Sequence, residues 1–157
     1  MLVNDKLLAL SYMGRAKEAE KFLPYFEAFE SDRNFRPYIH AARGLIAFRL
    51  GDFGRGRDCY LRALESCHEL SNPGLAANAT IFWLEQELFA GTAEPEEAAK
   101  IVSKLDEFYA RKENGSGKSP VWNVRKKIIA RMMDENAKRK GALNESIERS
   151  KIRLLAD

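Results

Sequence analysis

The chain has 157 residues, a net charge of +3, 45% hydrophobic and 31% charged side chains. That length and balance fit one folded domain with a continuous core and exclude a disordered or low-complexity chain. No apolar run approaches the roughly 18 to 20 residues that span a bilayer, and the opening MLVNDKLLALSYMG shows no basic leader with a cleavage site, so a cytoplasmic location is expected.

In chain order, residues 2–13 show a short helical pattern carried by Leu7, Leu8 and Leu10 and ended by Gly14. Residues 16–29 resume it with Ala19, Phe22, Leu23, Phe26 and Phe29 on one face, and Pro24 is expected to kink or locally disturb that helix. Ser31 to Asn34 form a turn, and Pro37 suits the first turn of a helix over 35–50. Gly51-Asp52 breaks the pattern before a helix over 53–70. In this pair the small residues Ala42, Gly44, Ala47 and Gly56 alternate with Leu45, Phe48, Phe53, Tyr60 and Leu64, as two closely touching helices require.

Ser71-Asn72-Pro73-Gly74 is a strong break. The fifth helix, 75–90, is apolar over much of its circumference through Ile81, Phe82, Trp83, Leu84, Leu88 and Phe89, so it is expected to lie deep. Residues 91–95 close it, and a sixth helix runs to about residue 111 on Ala98, Ile101, Val102, Leu105, Phe108 and Tyr109. The segment 112–119, KENGSGKS, has the composition of a flexible linker. Pro120 opens a long basic helix to about residue 140. Its apolar stripe is Val121, Val124, Ile128 and Met132, with Trp122, Ile129 and Met133 on an adjoining line. Gly141 is expected to break it before a weaker last helix over 144–155. Period-two alternation is absent, so the class is all-α.

Charge is unevenly placed. Residues 1–117 carry 15 basic and 18 acidic side chains, or −3; residues 118–157 carry 11 and 5, or +6. Cys59 and Cys67 are eight residues apart on one helix, roughly 12 Å, too far for a disulfide, and read as buried thiols.

Catalytic chemistry finds little support. NGSGKS at 114–119 is similar to the end of a phosphate-binding loop, but Lys112 stands where that loop needs Gly, and a helix precedes it in place of a strand. His40, His68, Cys59 and Cys67 have no zinc-ligand spacing. No enzyme, cofactor or metal is expected. Arg36 and Arg43 share a helix face, as do Arg55 and Arg62; with Asp58 in reach they read as a solvated, ion-paired face, the alternative being a secondary anion contact. The basic C-terminal segment reads as a cap whose stripe Val121, Val124, Ile128 and Met132 covers the last hairpin. Protein docking or self-association through Trp122 and Met133, and nucleic-acid contact through the lysines, are its other readings.

Helix, glycine turn, helix recurs at Gly14, Gly51 and Gly91, at spacings of 37 and 40 residues. The second unit, with Gly44, Gly51-Asp52-Phe53, Gly56, Tyr60 and Ala63, resembles a tetratricopeptide repeat; the first matches through Gly14, Ala19 and Leu23, the third through Gly91, Ala98 and Val102. The long period, Ala42-Arg43-Gly44 and the Asn72-Pro73 turn make it similar to the roughly forty-residue variant of bacterial multidomain transcription regulators. The resemblance covers about residues 1–110. It implies a right-handed α-α superhelix of about three hairpins, 1–111, followed by the linker 112–119 and the capping region 120–157.

It also implies a non-catalytic scaffold that binds a peptide or partner domain in a concave groove. The groove would be lined by Tyr12, Tyr38, Leu45, Phe48 and Arg49, with Asn4, Leu8, Ser11 and Ala41 at matching positions. Asn4 and Leu8 stand where chaperone-binding members hold a terminal carboxylate with Lys and Asn, so that clamp is not expected. The alternative function is a regulatory nucleic-acid module using Arg36, Arg43, Arg55, Arg62 and the basic tail.

Overall fold

The computed structural model describes residues 2–112 and 120–154. The expected linker from 113 onward, with its Lys118 loop, lies outside them. Among the described residues there are seven helices and no strand. They are α1 (Leu2–Tyr12), α2 (Ala16–Glu27), α3 (Arg36–Arg49), α4 (Phe53–Glu69), α5 (Pro73–Ala90), α6 (Pro95–Lys112) and α7 (Pro120–Leu154). The chain divides into two compact units, Met1–Gln86 and Glu87–Asp157, the boundary falling inside α5.

Three helices end at a glycine in the left-handed region: Gly14 after α1 at φ 76°, Gly51 after α3 at 85° and Gly91 after α5 at 75°. An L side chain is strained there, whereas glycine closes the last turn freely. The Asp52 carboxylate then caps α4 by accepting from the Arg55 N–H at 3.1 Å, and the Asn72 side chain caps α5 by accepting from the Leu75 N–H at 2.9 Å. Pro24 lies inside α2, which continues to Glu27. The hydrogen bond it cannot donate would end on the carbonyl of Glu20, an exposed residue.

In the first unit, α1, α2 and α3 share a core of Leu7, Leu10, Ala19, Leu23, Phe26, Ile39, Ala42 and Ile46. The other side of α3 packs on α4. Two glycines make it close. A methyl group on Gly44 would fall 2.8 Å from the Tyr60 ring, and one on Gly56 would fall 2.5 Å from the Phe48 ring. Phe48 and Tyr60 therefore occupy space that alanines would need. Phe53 joins Phe48 at 5.8 Å, and Trp83 of α5 stacks parallel on Tyr60 at 6.2 Å. Cys59 and Cys67 are buried and unpaired on α4, and burial pushes both thiols up.

The second unit corrects two expectations. Gly141 does not end a helix: α7 runs 35 residues through it. A single glycine with helical neighbours costs about 1 kcal/mol, too little to force a break. Nor does the stripe Val121, Val124, Ile128 and Met132 cover the last hairpin as a line, since the first three are exposed and Met132 is half-buried. The buried line is Trp122, Ile129 and Asn136, seven residues apart. Trp122 stacks on Tyr109 at 5.3 Å and donates its indole N–H to Asp106 at 2.8 Å, while the Lys126 ammonium reaches the other oxygen of Asp106 at 2.6 Å. Partial burial opposes ionisation of Asp106, but the bonds from Lys126 and Trp122 outweigh it and hold the carboxyl below its usual range. Further along, the Asn136 amide donates to the Ala93 carbonyl at 3.1 Å, which also accepts from Lys140 at 2.9 Å. A polar anchor at each end thus selects the tryptophan line over the valine line.

Two pairs of variants check this packing by denaturant unfolding. Gly54 has open space around it, so Gly54→Ala should stabilise by up to about 1 kcal/mol, whereas Gly56→Ala, against the Phe48 ring, should destabilise by about 1–3 kcal/mol. On α7, Val124→Asp should fall within about 0.5 kcal/mol of the parent, while Ile129→Asp, fully buried, should cost several times as much.

Candidate functional site

Within the first unit a cavity of about 160 Å³ opens where one stripe from each of α1, α3 and α5 converges. Helical spacing builds each wall. Asn4 and Leu8 are four apart on α1; Tyr38, Ala41, Ala42 and Leu45 recur at three and four on α3; Leu75, Asn78, Ala79 and Phe82 do the same on α5. Pro37 and the buried Tyr60 of α4 complete the lining. The alanines leave the volume that Leu8, Leu45 and Phe82 enclose. Among the described residues, no charged side chain lines the cavity. Its polar lining residues are Asn4, Asn78, Tyr38 and Tyr60, and burial pushes the Tyr60 hydroxyl far above its ordinary value, so it stays protonated. Such a wall can hold an apolar group and offer polar residues for hydrogen bonds.

The expected groove residues divide. Tyr38, half exposed, and Leu45, buried, face the cavity together with Asn4, Leu8 and Ala41. Phe48 is buried against Gly56, Phe53 and Tyr60. The Arg49 guanidinium lies over the Tyr12 ring at 5.2 Å; burial lowers its pKa, and the buried Glu85 acts against that shift. Ser11 is buried and donates to the Leu7 carbonyl at 2.8 Å. Phe48, Arg49, Tyr12 and Ser11 are not among the residues that line this cavity. The α5 wall was not foreseen, although the spacing of residues 75, 78, 79 and 82 carried the signal; the overall apolarity of that helix hid which face stayed open.

The arginines do not form one row. Arg43 is held by two carboxylates at the end of α2, bidentate to Glu30 at 2.7 Å on both arms and to Glu27 at 2.7 Å through Nε. That bonding holds Glu30 below its usual range and raises Arg43 further. Arg36 donates to the Glu30 carbonyl at 3.0 Å, and Arg33 donates to the Glu69 carbonyl at 2.8 Å. Arg55 and Arg62 are exposed, and neither pairs with Asp58 among the described residues; helical spacing permits such a pair, but water competes for it. Arg36, His40, Arg62, Glu30, Glu65 and Glu69 surround a separate, mixed-sign cleft of about 420 Å³. Cys67 is buried and its neighbour His68 is exposed, so the two do not aim at one point.

Comparison with family models, with curated proteins and with solved structures returns no match. Among the described residues, no helix is long and apolar enough to cross a membrane.

Burial first, and then the neighbouring Arg43, push the pKa of His40 down. A histidine depressed in the folded state takes up its proton mainly on unfolding, so stability should fall as pH drops through the usual histidine range. Glu30, also depressed, adds a second loss in the same direction lower down, in the carboxylate range. In thermal melts between about pH 7.5 and pH 5.5, His40→Gln should flatten the first slope.

Proposed function

We propose that the chain is a non-catalytic interaction scaffold that binds a peptide or partner segment through the cavity formed by α1, α3 and α5. One observation carries this reading: three successive odd-numbered helices each give one regular stripe to a single uncharged, largely apolar recess. Pairs α1–α2 and α3–α4, each turned next to a left-handed glycine, support a tetratricopeptide-like arrangement of the long-period kind, a right-handed superhelix in which such a recess is part of the concave face. In that reading the protein works in the cytoplasm, alone or within a larger regulator. The nucleic-acid alternative is weaker on these contacts, because Arg43, Lys126 and Lys140 are each engaged by carboxylates of the chain itself.

The test is selection from a random-peptide library on the full chain, followed by calorimetry. Selected peptides should share an apolar anchor residue. Ala41→Lys, placed in the half-buried wall, should weaken them by about tenfold or more with helicity unchanged. Peptides that bind the filled variant as tightly as the parent would move the site elsewhere.

A further inference from the structure

Helix α7 presents a second surface, independent of the cavity. Val121, Val124 and Ile128 are 73%, 60% and 48% exposed and recur at three and four residues, so they share one face. Scattered exposed apolar residues are ordinary; three in register beside a fully used packing line are a patch. The adjoining face is already committed: Trp122 and Ile129 are buried, and Asn136 binds Ala93.

Over residues 120–133 the charged side chains flanking this patch have one sign, and Glu135, seven residues past Ile128 on the same face, ends it. Residues 120–133 contain Arg125, Lys126, Lys127 and Arg131 and no acidic residue. Lys126 is turned toward α6 by Asp106 at 2.6 Å. Lys127 and Arg131 are exposed next to the stripe, and Arg131 makes a solvent-exposed contact with Glu135 at 3.3 Å. By helical spacing Arg125 borders the stripe on its other side.

These two features restrict the occupant. A second copy docking through the same face would bring like charges together. A phosphate backbone would use the cations but leave three aliphatic side chains in water. A helix with an apolar row and acidic flanks answers both, setting aliphatic residues on Val121, Val124 and Ile128 and carboxylates near Lys127 and Arg131. We propose that this face of α7 docks an acidic amphipathic helix of a partner protein.

The probe is a synthetic peptide of about 20 residues, with leucines at helical spacing of three and four and glutamates on the flanks. It is titrated into the isotope-labelled full chain. Amide shifts clustered on residues 121–131 are expected. Val124→Ser with Ile128→Ser, and separately Lys127→Glu with Arg131→Glu, should each weaken binding by about tenfold. All four side chains are exposed, so the fold should be kept, and the parent's unfolding midpoint should be reproduced by each double variant. A peptide of the same composition with its leucines scattered should bind at least about tenfold more weakly than the amphipathic one. Equal binding of the scattered peptide, no shifts on α7, or tighter binding of single-stranded RNA at the same residues would each overturn the proposal.

Discussion

The close approach of α3 and α4 governs the first unit. Gly44 makes room for Tyr60, and Gly56 makes room for Phe48, so each helix supplies both a missing side chain and a ring to fill the other's gap. With that contact fixed, every face of α3 has an assigned neighbour. Ile39, Ala42 and Ile46 go to the core with α1 and α2. Tyr38, Ala41 and Leu45 are left for the cavity. Arg43 points to the carboxylates at the end of α2. A helix of 14 residues thereby acts as the central post of the unit. The cavity shares this contact: Tyr60, packed on Gly44, also lines the recess beside the Tyr38–Leu45 stripe.

Much of this was legible in the chain. Glycine at the end of a periodic segment marks a C-terminal stop with a stated physical reason, and Gly14, Gly51 and Gly91 all take the left-handed turn. The small-large alternation around Gly44 and Gly56 pointed to their close contact for a similar reason: a helix face with no side chain has to be covered. The cavity wall on α1 and α3 followed from register. What register could not show was how far along each helix the open face extends. Phe48 and Arg49 continue the line of Leu45, but the turn at Gly51 brings α4 against Phe48, which is buried there, while Arg49 turns to the Tyr12 ring of α1. Contacts that join distant positions, such as Arg43 with Glu27 and Glu30, have no periodic signature at all.

The second unit was harder to read because its long helix has two credible apolar lines. Hydrophobicity alone favoured Val121, Val124 and Ile128. The structure chose Trp122 and Ile129, and polar anchors decided it: Asp106 receives both the indole and Lys126, while Asn136 and Lys140 share the Ala93 carbonyl. An amide at a buried seam position pins the register of a helix against sliding by a turn, a role that an aliphatic residue there would not fill. Heptad spacing from Trp122 through Ile129 to Asn136 was visible in the letters. The deciding fact, that Asp106 and Ala93 stand opposite its two ends, was not.

The distribution of two rare residue types has a practical consequence. Both cysteines lie on α4, buried where their thiolate forms are disfavoured, so in the closed protein they should react slowly with alkylating reagents. The two tryptophans are split, Trp83 stacked on Tyr60 in the first unit and Trp122 stacked on Tyr109 in the second. The natural chain thus carries a chemical clock for the opening of α4 and a separate optical label in each unit. Thiol trapping followed alongside fluorescence can time the opening of one unit against the other without an introduced probe.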